Sequence, residues 1–565
     1  MAQWQEKLDA NETALWHDYQ LSLDYQNRLG LREKIPSFVD FYEGRQWPLP
    51  TESTKNLPRP VVNIVKMICR SKKGAILSTP VKILYKSFSP YTDIEKFNSF
   101  ASNVFKEMGQ DELDRRGIDD AIKKGSCFFH YYWDSDFVSS LTGEVGGVRC
   151  ELIDPLNIFF SCPSEYDEQK QDWILISTRM DIKKICALSG TKIKESEIYS
   201  EQFDDVYSVG ESTLDPKATL LTRYFRINGE VYCERATKHH IINEPFKLVP
   251  CSIYEAEQGN DETRTQKPKL LKRKSELYPI VSGFYERKES SIYGLGEVEG
   301  LIPNQKAINF NIAMSLLNAQ QCAWGKYIAL PNALKGQKIS NVPGQVLIDY
   351  SGTGDGIKKM PELELSKIPM ELVTMLNNLT RSASGTSEVM TGEVYTSTLS
   401  GAAIAYLQAQ AQIPIEDLRS NFWHVKTKQG RVVAQFLKHY FWKRAYICEK
   451  PVVGNETKPT LDSFSSCDYE NSLFDVYVEA IGGTKASLAS DISLLDTCLK
   501  NGSISLETYI RAYPASAITN KEEILKQIEA EKASEISKLK EEIAKLTSKL
   551  SSNRQSNSDK GDIND

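Results

Sequence analysis

Long apolar runs are missing from this chain of 565 residues. No window approaches the ~18 consecutive apolar residues of a membrane-spanning helix, and the nearest candidate, Thr396–Ile415, is interrupted by several glutamines. The first residues, MAQWQEKLDANETALW, lack the basic and apolar regions of a signal peptide. We therefore expect a soluble, intracellular protein without a membrane partner.

Cysteine and histidine patterns typical of catalysis are missing too. The eleven cysteines include no C-x-x-C pair, which favours reduced, mostly buried thiols over disulfides. The chain has no G-x-S-x-G, and its six histidines are too scattered to indicate a Ser/His/Asp or Cys/His set. We expect a protein that is not an enzyme and that needs no cofactor.

Two glycine clusters are similar to phosphate-binding loops but depart from their spacing. Gly294, Gly296 and Gly300 follow G-x-G-x-x-x-G, and the acidic Glu297 and Glu299 would confront a pyrophosphate. We predict a turn that leads into a helix. The Walker spacing is missed by the second cluster, Gly352, Gly354 and Gly356.

Two sets of side chains leave a metal site as an alternative. Asp134 and Asp136 could chelate a divalent cation, although D-S-D at a strand end is also an ordinary turn and no third acidic partner is evident. Zinc could find four ligands in Cys233, His239, His240 and Cys251, but their spacing fits no common zinc finger. We predict no metal, and keep a metal-dependent nucleic-acid-processing enzyme as the alternative.

What the chain has instead is two long helical segments almost without charge. Asn304–Cys322 holds only Lys306 in nineteen residues, and Thr396–Ile415 holds no charge in twenty, although 25% of the chain is charged. A helix that faces water on one side normally carries charges there. We therefore expect these segments to be surrounded by other protein, as in a ring or bundle.

On a helical wheel, the first segment shows one narrow polar sector and two apolar rows. The polar sector consists of Asn304, Asn311, Ser315 and Asn318. The apolar rows are Ile308, Ile312, Leu316 and Ala319, and Ala307, Phe310, Met314 and Leu317. Such a helix packs against neighbours on most sides, either in a ring or as the central helix of an ordinary core.

The order of the patterns predicts a mixed α/β (α+β) fold. Helical periodicity dominates residues 1–120, with helices at Val61–Leu77, Asp93–Met108 and Asp111–Lys124. Strand-like runs follow from Cys127, with a hairpin at Asn228-Gly229.

The second half alternates helices with short β segments. A small β-containing insertion, Gly325–Met360, precedes a helix at Pro369–Ser384. A long helix then runs to about Tyr446, kinked or broken at Pro414. A late strand at Leu473–Gly482 could return to the earlier sheet, and two short helices broken at Gly502 follow within Ala486–Pro514.

This order of parts resembles the portal protein, or head-to-tail connector, of tailed bacteriophages. The resemblance spans Ser37 to about Pro514. It rests on seven segments in family order: FYEGRQW, Asn63 in the next helix, DAIKKGSCFFHYYWD, ELIDPLNIFF, YPIVSGFYERKESSIYGLGEVEGLIPNQKAINFNIA, SGTSEVMTGEV with TLSGAAIAYLQAQA, and LKNGSISLETYIRAYP.

The resemblance implies the portal architecture of wing, stem, clip and crown, with long helices around a central channel. The implied parts are a wing (1–285), the connection and first stem helix (286–324), the clip (325–360), the second stem helix (361–384), the tunnel loop (385–401), a long kinked wing helix (402–446), a strand returning to the wing (447–485) and the crown (486–520).

The resemblance also implies a ring of twelve copies at one capsid vertex of the virion, assembled in the host cytoplasm. Double-stranded DNA would be packaged and ejected through its channel without sequence specificity, driven by a separate terminase. The ring would dock to the major capsid protein and to head-completion and tail adaptor proteins. The expected channel residues in the tunnel loop are Glu388, Thr391, Gly392, Glu393, Tyr395, Thr396 and Ser397.

A net charge of −6 agrees with a passage for DNA, because each phosphate contact that neutralises charge adds affinity and slows sliding. Only a few cations could face such a channel, and Lys306 is one candidate. A capsid scaffold or tail adaptor shares the oligomerising features but would not need the helix–insertion–helix–loop series.

The C-terminal segment differs from the rest and has no counterpart in the resemblance. Residues 521–550 hold seven Lys and seven Glu, and residues 551–565 are expected to be disordered. A seam at 3-4-3-4 spacing predicts a short coiled coil of two heptads through Ile536, Leu539, Ile543, Leu546 and Leu550.

Overall fold

The computed structural model describes residues 12–87, 93–139, 143–189, 193–198, 217–249, 276–323, 368–386, 401–452, 456–469, 472, 474–480 and 494–512, with much of 327–359 and parts of 524–547. The chain divides into two compact units, Met1–Ala480 and Ile481–Asp565. Helices and antiparallel strands are mixed along the chain, which confirms the predicted mixed α/β class.

The first unit begins with a helical region whose boundaries follow local sequence signals. The Asn63 and Asp93 side chains accept hydrogen bonds from backbone amides and so cap the starts of two helices. Gly109 and Gly125 end two helices in the left-handed conformation. The elements are α1 (Ala14–Arg28), α2 (Leu31–Glu43), α3 (Ile64–Leu77), β1 (Val81–Ser87), α4 (Ile94–Met108) and α5 (Gln110–Lys124).

Two larger antiparallel sheets follow. One has the strand order β3-β2-β9, and the other the order β4-β5-β6-β7-β8. The predicted β6–β7 hairpin is confirmed, because Asn228 and Gly229 take positive φ values of 52° and 91° at its turn. The elements are β2 (Ser126–Val138), β3 (Val145–Ile153), β4 (Ile158–Phe160), β5 (Trp173–Asp181), α6 (Ile182–Leu188), β6 (Lys217–Ile227), β7 (Glu230–Ala236), β8 (Ile241–Lys247) and β9 (Ile280–Phe284).

The helix–insertion–helix series predicted from sequence is present. α7 (Glu297–Ala323) precedes the short antiparallel pair β10 (Tyr327–Ala329) and β11 (Ile357–Lys359), and α8 (Ile368–Ala383) follows. α7 and α8 pack against each other.

The long helix α9 (Gly401–His439) is shorter than the sequence predicts. It continues through Pro414 without a break, and it ends at His439 instead of about Tyr446. The chain then forms an antiparallel hairpin of β12 (Arg444–Val452) and β13 (Glu456–Phe464). The hairpin buries Tyr446 and Phe464 against Phe100 of α4, and this burial of aromatic surface requires the chain to leave the helix.

The predicted late strand is β14 (Phe474–Ala480). It pairs with β1, which lies early in the sequence of the unit. Val81 lies opposite Ala480 and Ser87 opposite Phe474. The strand therefore joins neither larger sheet but forms a two-stranded antiparallel sheet with β1.

α9 is the central element of the core, and two glycines let other elements approach it closely. A Cβ at Gly283 of β9 would lie 2.9 Å from Val425 of α9. A Cβ at Gly430 of α9 would lie 2.6 Å from Val476 of β14. Side chains at these positions would force the layers apart, so α9 rests directly on β9 and on the β1–β14 pair.

The second unit contains the two short helices predicted before residue 514. Residues 494–500 are helical, Gly502 takes a φ of +69°, and α10 (Leu506–Ala512) follows. The Tyr509 hydroxyl donates to Asp496 at 2.5 Å across the turn. Among the described residues of the whole chain, no helix is both long enough and apolar enough to span a bilayer.

Candidate subunit interface

The first half of α7 is fastened to the N-terminal helices by buried amide side chains. Gln305 Oε1 accepts hydrogen bonds from the backbone amides of Ile64, at 3.0 Å, and Val65, at 3.4 Å. Asn309 Nδ2 donates to Gln46 Oε1 at 2.6 Å. Gln305 therefore satisfies amides at the start of α3 that have no partner within that helix, and it fixes the position of α7.

Beyond Asn309, α7 exposes apolar side chains to solvent. Phe310 is 58% exposed, and Met314 and Leu316 are also exposed. Ile308 is fully buried, although the exposed Leu316 belongs to the same apolar row. Both apolar rows of the predicted helix therefore carry exposed side chains beyond Asn309, within the described part of the unit.

The solvent-facing side of α8 carries an apolar stripe at heptad-like spacing. Its members are between 41% and 65% exposed and are spaced 4-3-4 along the helix: Ile368, Leu372, Met375 and Leu379. On the adjoining side of the helix, Val373 and Leu376 pack against the core. Only Glu371 and Arg381 are charged in this helix. A helix that is apolar on both faces packs against protein on both.

We call the exposed apolar side chains of these two packed helices the α7–α8 patch; they are Phe310, Met314, Leu316, Ile368, Met370, Leu372, Met375 and Leu379. Scattered exposed apolar residues are normal, but a large group on adjoining helices marks an association surface. The arrangement is suited to binding another protein surface.

The polar sector of α7 is satisfied largely by the helix itself. Asn311 Nδ2 donates to the Ala307 carbonyl at 2.8 Å, and Ser315 Oγ donates to the Asn311 carbonyl at 2.9 Å. Asn304 and Asn318 are half-buried in the same sector. These side chains therefore present a neutral surface.

Lys306, the only charge in the uncharged part of α7, lies beside an aromatic ring. It is exposed, and its Nζ lies 5.4 Å from the centre of the Phe41 ring of α2. This distance permits a cation–π interaction, so Lys306 is directed toward α2 in the single chain.

The end of α8 meets α9 at the proline. Gly385 takes a φ of +69°, and a Cβ there would lie 3.3 Å from Cβ of Pro414. The chain then enters the segment expected to be the tunnel loop. All the channel residues expected there lie outside the described residues: Glu388, Thr391, Gly392, Glu393, Tyr395, Thr396 and Ser397.

Two ion pairs attach α9 to the rest of the unit, and the first of them is buried on both sides. Lys426 Nζ contacts Asp114 Oδ2 of α5, and amides of Gln110 and Gln429 donate to the other carboxylate oxygen at 3.0 Å each. All four side chains are buried. Lys428 pairs at 2.8 Å with Glu168, which is 1% exposed. Nothing in the local sequence of α9 marks Lys426 as buried.

A third buried cluster holds the start of α7. Lys72 Nζ of α3 lies 2.8 Å from Glu297 Oε2 and donates to the Tyr285 hydroxyl at 3.0 Å. That hydroxyl donates to Glu297 at 2.6 Å. Burial, reinforced by the Glu297 charge, raises the pKa of Tyr285, so the phenol stays protonated and remains a donor. α7 is therefore held at two points, Glu297 and Gln305.

The glycine cluster before α7 is packed against backbone. A Cβ at Gly294 would lie 2.4 Å from the Gly125 carbonyl oxygen, and a Cβ at Gly296 would lie 2.9 Å from the Gly125 nitrogen. The predicted turn into a helix is confirmed, and the glycines serve the close approach of this turn to the end of α5. Gly300 has no neighbour within 4 Å of its Cβ position.

The two candidate metal sets do not assemble within the described residues. Asp134 Oδ1 accepts a hydrogen bond from the Asp136 amide at 3.1 Å, as in an ordinary turn, next to an irregularity in the β2–β3 register. No group of three or more His, Cys, Asp or Glu side chains that could hold a metal occurs in the described part.

The individual residues of the candidate zinc set also argue against a zinc site. Cys233 is buried on β7, and burial raises the pKa of its thiol to about 11, which disfavours the thiolate that zinc requires. His240 Nε2 lies 3.0 Å from the Glu197 carbonyl oxygen. Cys251 lies outside the described residues.

The cysteines themselves are less buried than expected. The thiols of all eight cysteines with described environments are free. Cys69, Cys127 and Cys233 are buried, but Cys162 and Cys467 are exposed and the others are intermediate. Among these eight cysteines, buried thiols are therefore the minority, whereas the expectation for all eleven was a majority.

No family model matches this chain, and no curated protein matches it.

Proposed function

We propose that this chain is the subunit of a ring through which double-stranded DNA passes, the portal of a tailed bacteriophage. The observation that carries the proposal is the α7–α8 patch. Two helices that avoid charge expose apolar stripes at helical spacing, as expected when identical helices of neighbouring subunits cover one another.

The order of elements supports the same proposal. A helical region with two sheets precedes a helix, a small β insertion, a second helix and then a long helix. In the proposed ring, α7 and α8 are the stem helices, residues 325–360 the clip, and residues 385–401 the tunnel loop. α9 crosses the wing, and residues 486–520 form the crown.

The buried anchors of α7 and α9 suit a ring that bears load. A motor that drives DNA through a channel pushes against the helices that line it. The Lys72–Glu297–Tyr285 cluster and the Gln305 cap hold α7 to α3, and the Lys426–Asp114 pair holds α9 to α5. Removing one partner of such a pair is costly, so these contacts resist displacement.

The proposed partners follow from this role. The chain forms a ring of about twelve copies in the virion, passes DNA without reading its sequence, and docks to a terminase, to the major capsid protein and to head-completion or tail adaptor proteins. The net charge of −6 supports passage over retention, because the 75 acidic side chains outnumber the 69 basic ones that could hold phosphates.

The first test is the mass and shape of the purified full chain, by mass photometry and negative-stain imaging. We expect rings with a central hole and a mass near twelve copies of the 63.9-kDa chain. Met375→Glu, in the α7–α8 patch, should shift the population to monomers, because burying an unpaired carboxylate at an interface is strongly unfavourable.

Thr374→Glu is the matched control, since Thr374 is exposed on the same helix but outside the apolar stripe. It should leave the ring intact. A chain that stays monomeric at every concentration, or rings unaffected by Met375→Glu, would overturn the proposed use of this surface.

A further inference from the structure

The second unit carries an apolar seam that its described residues do not cover. Residues 537–540 and 543–547 are helical. Leu539, Ile543 and Leu546 are 55%, 63% and 60% exposed. Their 4-3 spacing places the three side chains on one face of a helix, where they can be buried together by a single partner.

The side chains in the seam indicate what kind of partner fits. Ile543 occupies heptad position a, and Leu539 and Leu546 occupy position d; the sequence continues the pattern with Ile536 and Leu550 at a. Isoleucine at a combined with leucine at d favours two parallel strands over three or four. The seam is therefore complementary to a second copy of itself.

The charges beside the seam indicate the orientation. Lys540 lies at position e, and the sequence places Glu535 at position g. In a parallel pair, Glu535 of one copy faces Lys540 of the other. An antiparallel pair would match e with e and g with g, and so place like charges together. Charge complementarity therefore favours the parallel pair.

We propose that Leu539, Ile543 and Leu546 pack against the same side chains of a second copy of this chain in a parallel, two-stranded coiled coil. Two heptads are too short to hold free chains together, since isolated helices of this length are marginal in water. The inference therefore rests on the proposed ring, which tethers the copies and supplies a high effective concentration. Pairing in twos divides a ring of twelve subunits into six pairs.

The test is disulfide trapping in the full chain with Ile543→Cys. Residues at position a face each other across a parallel seam, so mild oxidation should convert most of the chain into covalent dimers on non-reducing gels. The unsubstituted chain controls for native thiols, including the exposed Cys162 and Cys467. Ser537→Cys, on the far side of the helix, should form no more dimer than that control.

Charge variants test the register independently. Lys540→Glu in the Ile543→Cys background should slow dimer trapping by about fivefold, because it puts like charges opposite each other twice per pair. Adding Glu535→Lys reverses both charges and should restore the rate. An unchanged rate in both variants would overturn the parallel register.

Mass photometry of the same samples separates this inference from the proposed function. Intact rings in which Ile543→Cys gives no dimer above the control would overturn the coiled coil and leave the ring standing. Leu546→Cys repeats the test at a d position, should cysteine at 543 weaken the seam. Monomers without trapped dimers would overturn both ideas. Trapped dimers without rings would overturn the ring, and would also overturn the argument that the seam needs the ring as a tether.

Discussion

Lys426 on α9 and Asp114 on α5 form an ion pair from which water is almost wholly excluded. The two residues are 312 positions apart in the chain. Two glutamine amides complete the hydrogen bonding of the carboxylate, so the charge of Asp114 is both neutralised and solvated by protein. The pair links the longest helix to the N-terminal helical region.

Removing the lysine alone should destabilise the first unit strongly. Lys426→Met leaves Asp114 charged, buried and without its cation, which we expect to cost about 3–5 kcal/mol in chemical denaturation. The double variant with Asp114→Asn should recover much of that loss, because it removes the uncompensated charge. Strictly additive effects of the two substitutions would contradict a coupled pair.

A methyl group added to Gly294, before α7, should have a different effect from one added to Gly300, near the start of α7. Gly294→Ala places a Cβ 2.4 Å from the Gly125 carbonyl oxygen and should destabilise the first unit by several kcal/mol, or prevent it from folding. Gly300→Ala meets nothing within 4 Å and lies in α7, so it should be neutral or stabilise by up to about 1 kcal/mol. Thermal unfolding of the two variants makes the comparison.

Lysines introduced into the segment 392–397 should stall DNA packaging. If this segment lines the channel, new cations there would hold phosphates that must slide past. The measurement is the amount of DNA packaged per capsid, and Glu393→Gln and Thr396→Gln serve as uncharged controls. Normal packaging in lysine variants that still form rings would contradict the tunnel-loop assignment.

Thiol-reactive probes should divide the cysteines into two groups. At pH 8, an alkylating reagent should modify the exposed Cys162 and Cys467 in the folded protein. Burial raises the pKa of Cys69 to about 12 and that of Cys233 to about 11, so both stay protonated as well as shielded. They should react only after denaturation, and peptide mass spectrometry can assign each site. Rapid labelling of Cys69 in the native protein would contradict the packing of α3.

Helix boundaries were predictable from sequence where local chemistry decides them. α4 starts at the capping residue Asp93 and α5 ends at Gly125, as predicted, whereas α3 starts after its cap Asn63 and not at the predicted Val61. The hairpin at Asn228 was equally predictable, since two residues with positive φ are required there. Each of these features depends on neighbours a few positions away.

Features that depend on distant partners were missed. α9 ends at His439 because Tyr446 is buried against Phe100. The periodicity of apolar residues in the helix does not predict this end. The sequence likewise could not show that Lys426 would be buried. The uncharged character of α7 was visible, but which of its faces stays exposed depends on where Gln305 and Asn309 attach it.

The pairing of β1 with β14 has a consequence for how the protein is made. Ser87 leaves the ribosome long before Phe474, its partner in the two-stranded sheet. At about 5–20 residues per second, the delay is roughly 20 to 80 s. During that time the backbone N–H and C=O groups at one edge of β1 are unpaired and can pair with another strand. A chain that stops short of β14 lacks this closure. Only a chain translated through Ala480 can therefore complete the β1–β14 pair, and chains terminated before that residue cannot complete the first unit.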